Sequence, residues 1–243
     1  MDSQFDDLAG LYERTASWPF RKYLEIPTVL NLLGDLSGRR VLDFGCGTAM
    51  YARWMKARGA QHVVGFDVSE GMLAYARRRD EREGLGLELT SELTSAFDRQ
   101  FDLVLAVYVL PYAGTRDELQ AICQDMARVL RPGGRLVTLP IHPDFAPAPS
   151  YYEPYGLRLV SDDPHADGGI VRLDLCQPPY DVQVSAYYWS ADTLDRALRF
   201  AGFSSVIWRT HQVSDEGWTE MGGEFWRRYL ERPHAAIVDC RRG

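Results

Sequence analysis

Hydrophobic and polar positions change period several times along the chain, and the changes predict its elements. From about Phe5 to Gly34 apolar residues recur at helical spacing: Phe5, Leu8, Leu11 and Tyr12, then Tyr23, Leu24, Val29, Leu30 and Leu33. This predicts two helices broken at Trp18-Pro19, with Pro27 interrupting the second. Arg40 to Phe44 is a short buried strand, and Tyr51, Trp54, Met55 and Arg58 behind it share one helical face. His62 to Asp67 is the second strand, and Ser69 caps a helix whose inner face is Met72, Leu73 and Ala76. A short third strand covers Leu85 to Thr90. Phe101 to Val109 is continuously apolar, as expected of a central parallel strand. Leu119, Ile122, Cys123, Met126 and Leu130 give an amphipathic helix, which Pro132-Gly133-Gly134 stops before a fifth strand, Arg135 to Leu139.

This alternation predicts an α/β fold, a doubly wound, seven-stranded, mostly parallel sheet. The pattern breaks at Pro140. From there the chain is rich in proline, glycine and aspartate, with short alternating runs at Leu157–Val160, Ile170–Leu175 and Val182–Trp189. It reads as an antiparallel β insertion after the fifth strand, crowded with aromatics. Ser190 then caps a helix closed by Gly202, and Phe203–Arg209 and Ala235–Cys240 are the last strands, with a helical turn inside Gly217–Leu230. The expected organisation is one domain. Residues 1–38 form a helical lid, 39–140 a ligand-binding core, 141–189 a substrate-covering insertion, and 190–243 a C-terminal helix and antiparallel strands.

Composition narrows the partners. The chain has 243 residues, within the range of one large α/β domain. A net charge of −7 argues against a general nucleic-acid or anionic-membrane binder and leaves a small molecule as the expected partner. Cys46, Cys123, Cys176 and Cys240 are widely spaced and form no CxxC pair, so reduced thiols are expected, with no disulfide framework and no metal site. Met1 to Asp7 is acidic and lacks the apolar core of a signal peptide, and Leu103 to Ala113 is too short to span a bilayer. The expectation is a cytoplasmic monomer or homodimer.

Candidate chemistry centres on Val41-Leu42-Asp43-Phe44-Gly45-Cys46-Gly47-Thr48-Ala49, a strand, a glycine turn and a helix start. Such a turn can lay backbone N–H groups against a ligand. Met50 stands where a dinucleotide fingerprint has its third glycine, and Asp43 would repel a pyrophosphate. Asp67 ends the second strand about two dozen residues on, placed to accept from both hydroxyls of a ribose. The ligand implied is a nucleoside with a positive charge at its far end, which S-adenosylmethionine fits and NAD fits less well.

At these residues the chain resembles class I S-adenosylmethionine-dependent methyltransferases. Val41 to Thr48 looks like their first motif, Val64-Gly65-Phe66-Asp67-Val68-Ser69-Glu70-Gly71-Met72 like the second, and Leu130 to Leu136 like the loop before the fifth strand. A further resemblance, to small-molecule methyltransferases of the toxoflavin synthase type, runs through Leu105 to Ala113, Tyr155-Gly156, Tyr187-Tyr188-Trp189-Ser190 and Val213-Ser214-Asp215-Glu216-Gly217 to Phe225-Trp226. The resemblance implies S-adenosyl-L-methionine as cofactor. It would be held by Asp43, Gly45, Gly47, Asp67, Val68, Met72, Ala106 and Val107, with Tyr12 and Arg21 near its carboxylate. It also implies methylation of ring nitrogens or other positions of small metabolites. Two departures bear on this. Ser91 replaces the usual aspartate after the third strand, so Ser91 and the Glu92 backbone are expected at the adenine, and Ile141-His142-Pro143 replaces an asparagine-proline stretch.

Methyl transfer chiefly needs alignment, and a base only where the acceptor must lose a proton. His142 is the candidate base, alongside a reading in which no base is needed. Tyr112, Tyr152 and Tyr188 are candidates to orient a planar acceptor. The rival class is a protein that binds the cofactor without transferring methyl. Gln177-Pro178-Pro179-Tyr180 resembles the tetrapeptide of DNA adenine methyltransferases but follows the wrong strand, and reads as a turn.

Overall fold

A computed structural model describes residues 8–175 and 182–243. The expectations for Phe5, the acidic start, Cys176 and Gln177–Tyr180 lie outside the described residues. The helical leader forms α1 (Ala9–Thr15) and α2 (Ile26–Leu33). Helix resumes at Pro19, and Arg21–Glu25 winds as a wide π turn ahead of α2. Pro27 explains the widening, because it has no N–H to return to the Tyr23 carbonyl.

The main sheet runs β1 (Arg40–Phe44), β2 (His62–Phe66), β3 (Glu88–Thr90), β4 (Phe101–Val107), β5 (Leu130–Leu139), β9 (Phe203–Arg209) and β10 (Ile237–Arg242), the three strands between β5 and β9 lying in a second sheet. Its spatial order is β3-β2-β1-β4-β5-β10-β9. The five strands from β3 to β5 are parallel, and β10 is antiparallel to both of its neighbours. The doubly wound, mostly parallel sheet expected from the alternation is therefore present. Helices α3 (Met50–Ala57) and α4 (Glu70–Glu83) pack with α2 on one face, around Val41, Met55, Leu73 and Leu105. On the other face α5 (Arg116–Val129) and α6 (Ala191–Phe200) pack around Leu42, Val104, Met126 and Leu198.

The excursion after β5 is a separate antiparallel sheet of β6 (Leu157–Val160), β7 (Ile170–Leu175) and β8 (Val182–Tyr187), in that order. It does not extend the main sheet. Its inner side joins the leader and α7 (Asp215–Glu231) in a third core of Leu11, Trp18, Phe20, Tyr155, Trp226 and Tyr229. The helical turn expected near Gly217 is thus a full helix, bent where Gly222 takes φ +78°. This third core brings the leader, the insertion and the C-terminal segment together over the C-terminal ends of β1 and β4. Among the described residues no helix is long and apolar enough to cross a membrane.

Candidate functional site

The turn after β1 depends on its glycines. Gly45 and Gly47 have φ of +73° and +53°, where a side chain is strained, and at Gly45 a Cβ would lie 2.5 Å from Val109 Cγ2. Nothing comes within 4 Å of a Cβ at Gly47, so that face of the turn is open. Asp67 ties the turn down: one carboxylate oxygen accepts from Gly47 N–H at 2.6 Å and the other from Ser69 N–H at 2.9 Å. Asp43 is buried and accepts from Ala52 N–H, in the first turn of α3, at 2.9 Å. Burial outweighs that bond and pushes the Asp43 carboxyl up to about 7.

Two cavities meet here. One, of about 480 Å³, runs along the glycine turn and is lined by Asp43, Gly45, Gly47, Asp67, Val68 and Met72 among others. The second is a slot of about 80 Å³ under the three-stranded sheet, walled by Trp18, Phe20, Leu157, Val171 and Leu175, with His234 also on its wall. Tyr12, Arg21, Tyr108 and Tyr112 line both and form the neck between them. Tyr12 and Tyr112 share a hydrogen bond.

Behind the neck is a polar network in an otherwise apolar setting. Arg21 donates through Nε to Glu25 Oε1 at 2.9 Å and through Nη1 to Thr15 Oγ1 at 2.7 Å. Tyr51 O–H also reaches Glu25 Oε1, at 3.0 Å, and Tyr108 O–H donates to Glu25 Oε2. The Tyr108 oxygen lies 3.1 Å from His234 Nε2, and His234 Nδ1 lies 2.6 Å from the Tyr229 hydroxyl. Burial drives His234 down to about 3, so it is neutral. It also raises Tyr51, Tyr108 and Tyr229 well above the ordinary phenol range. Tyr108 itself has φ +58°, rare for a bulky residue and a mark of stored strain.

A family model described as a methyltransferase domain matches residues 41–134. A demethylmenaquinone methyltransferase from Tropheryma whipplei is 33% identical over 186 residues, covering 73% of this chain and 72% of that protein. The chain belongs to the class I S-adenosylmethionine-dependent methyltransferases. A ubiquinone/menaquinone biosynthesis C-methyltransferase from Desulfotalea psychrophila is 26% identical over 232 residues, 89% of this chain and 87% of that one. In fold, the methyltransferase is similar to an S-adenosylmethionine-dependent methyltransferase from Mesorhizobium loti, with TM-score 0.64 and 21% identity, covering 94% of this chain and 100% of the other.

The residues present in the methyltransferase fit its cofactor, S-adenosyl-L-methionine. The larger cavity is of ligand size. Its acidic groups suit a cation, its glycine face is open, and Arg21 brings a guanidinium to its wall. Of the residues expected at the cofactor, Tyr12, Arg21, Asp43, Gly45, Gly47, Asp67, Val68, Met72 and Val107 line this cavity. Ser91, Glu92 and Ala106 do not; Ala106 is buried inside the sheet, and Glu92 N–H turns back to Thr90 Oγ1 at 3.1 Å.

Of the residues expected at the acceptor, Tyr112 is at the neck. Tyr152 and Tyr188 line neither cavity and are buried packing residues. The Tyr152 hydroxyl bonds Ala146 N–H at 2.8 Å and Arg232 C=O at 2.9 Å, and the Tyr188 hydroxyl bonds Pro143 C=O at 3.0 Å. His142 also lies off both cavities; its Nδ1 accepts from Asp144 N–H at 3.0 Å. The polar residues at the neck that sequence reading passed over are Glu25, Tyr108 and His234. A tyrosine at the C-terminal end of the central strand, the ligand edge of such sheets, was a usable signal for Tyr108. No local pattern marks His234.

Proposed function

We propose that the methyltransferase acts on a planar, largely apolar small molecule, transferring the methyl group to a nitrogen or oxygen of its ring system. The observation that carries this is the junction of the two cavities. The cofactor brings the methyl group on a sulfonium, and a flat molecule in the apolar slot meets it at Tyr12, Arg21, Tyr108 and Tyr112. The protein's part is alignment and exclusion of water, and alignment alone is worth up to about 7–11 kcal/mol in ideal cases. Quinone-pathway names among the relatives agree with a ring acceptor, and those that name the methylated atom name carbon or oxygen.

In this reading Asp67, at the end of the second strand and on the cavity wall, accepts from the ribose. Arg21 and Tyr12 receive the cofactor's carboxylate, the Asp43 side of the turn faces its ammonium, and Val68 and Met72 flank its base. The slot, at about 80 Å³, is smaller than the roughly 150 Å³ that holds one benzene ring, so its walls must move outward to admit an acceptor.

The test is a labelled-methyl assay against bicyclic hydroxyarenes, ring N–H compounds and ring nitrogens without hydrogen. Transfer to at least one of these, and none to DNA or protein, is expected. Tight cofactor binding with no transfer to any of them would favour a binding protein that does not transfer methyl.

A further inference from the structure

The polar network at the neck has a direction. A carboxylate oxygen can only accept, so the single Tyr108 proton goes to Glu25 Oε2 and the Tyr108 oxygen can only accept from His234 Nε2, which therefore carries the proton of the neutral imidazole. His234 Nδ1 is left to accept from the Tyr229 hydroxyl. Tyr108 in turn donates to Glu25 Oε2, while Arg21 and Tyr51 occupy Oε1. The Tyr108 oxygen therefore keeps one lone pair uncommitted, in a residue that lines both cavities. The protons of Tyr229, His234 and Tyr108 thus run in one direction, ending on the Glu25 carboxylate. In an apolar slot such a fully connected row is costly unless each member is satisfied, and here each is.

We propose that Tyr108 takes a proton from the acceptor while passing its own to Glu25, and that the site is accordingly built for a planar acceptor whose attacking atom carries an ionisable hydrogen: a phenolic or enolic O–H, or a ring N–H. This rests on the methyl-transfer reading above. The bond from the attacking atom to the methyl carbon forms from that atom's lone pair. The carbon–sulfur bond breaks with its pair left on sulfur. The acceptor's proton moves to the Tyr108 oxygen and the Tyr108 proton to Glu25 Oε2. The positive charge on sulfur and the negative charge on Glu25 disappear together, so the net charge of the buried site does not change. Tyr108 is the catalytic residue; Glu25 is the terminal proton acceptor, and His234 positions the phenol. The strained backbone at Tyr108 holds the hydroxyl at the neck, where this transfer is needed.

The test compares two acceptor classes in one variant. Naphthols and indoles carry the hydrogen; quinoline and isoquinoline offer a ring nitrogen without one. Tyr108→Phe keeps the ring and removes the relay. Its loss of kcat on the first class is expected to be at least about 100-fold, the usual worth of general base catalysis, and to exceed any loss on the second class by at least about thirtyfold. Calorimetric affinity for S-adenosylmethionine should stay within about threefold of wild type, and Glu25→Gln should show the same preference between classes. The ratio between classes does not depend on how much of a variant is folded. Equal losses on both classes, an undiminished rate on naphthols, or wild-type turnover of proton-free acceptors alone would each overturn the relay while leaving methyl transfer standing. Transfer to no acceptor would overturn the functional reading and the relay with it.

Discussion

The Asp67 carboxylate holds the glycine turn to the start of α4, one oxygen on Gly47 N–H and the other on Ser69 N–H. Removing its charge should therefore act twice, on the ribose contact and on the shape of the turn. Charge-assisted hydrogen bonds contribute about 1.5–3 kcal/mol each, so Asp67→Asn should weaken S-adenosylmethionine binding by about 10- to 100-fold by calorimetry. An affinity unchanged from wild type would show that the ribose lies elsewhere. Residues of this kind were legible in the sequence because their meaning is local: a carboxylate at a strand end and a glycine at a turn need only their immediate neighbours. Tyr108, Glu25 and His234 were not, because their chemistry exists only once segments more than 200 residues apart have met. His142, at the expected strand end, is turned to its own loop by the Asp144 N–H instead.

Helix α1 supplies Tyr12 to the neck and is short; it buries Leu11 in the third core and is tied to α3 and α4 by charges. Arg53 of α3 donates from Nη2 to Glu13 Oε1 at 2.5 Å and from Nη1 to the Thr48 carbonyl at 2.7 Å, so one guanidinium joins α1 to the glycine turn. Arg79 of α4 adds a longer contact to Glu13 at 3.6 Å. Breaking a buried pair costs about 3–5 kcal/mol, and the partial exposure of Glu13 lowers the expected figure to about 2 kcal/mol. Most of that loss should fall on α1. In Arg53→Ala, amide exchange over residues 9–15 should quicken at least tenfold, with β4 and β5 unaffected, and the cofactor should restore part of the protection. Uniform quickening across the sheet would mean that Arg53 supports the whole fold. The same scale shows why the roles of the insertion's aromatics were not legible in the sequence. Its aromatics were visible, but whether an aromatic lines a cavity or fills a core depends on the layer packed over it. Here the leader and α7 cover that sheet, so Tyr152 and Tyr155 became core while smaller residues such as Leu157 and Val171 were left to wall the slot.

Across the whole molecule, two buried groups give acid stability opposite signs. His234 has a folded value of about 3 against 6.5 unfolded, so the unfolded chain takes up a proton the fold refuses. Its stabilisation is complete above pH 6.5 and is lost as pH falls from there toward 3. Asp43 has a folded value of about 7 against 3.8 unfolded, so the fold keeps a proton the unfolded chain has released. Ionising it costs stability as pH rises from 3.8 to about 7, and acidification returns that stability. Between about pH 4 and 6.5 the two slopes, each at most about 1.4 kcal/mol per pH unit, offset one another. What remains is the loss from His142 and His211, both also lowered by burial. Urea unfolding at about pH 5 and about pH 6.5 should therefore show a moderate acid loss in the free protein. Asp43→Asn, which keeps an acceptor for Ala52 N–H, should steepen that loss by up to about 1.4 kcal/mol per unit, and His234→Gln should flatten it by as much. The cofactor's ammonium favours the ionised carboxylate, so saturating S-adenosylmethionine should steepen the wild-type slope as Asn does, and its affinity should weaken as pH falls below about 7. A wild-type slope that neither Asp43→Asn nor the cofactor changes would mean that Asp43 is ionised in the free protein, and that the cation of the cofactor does not lie beside it.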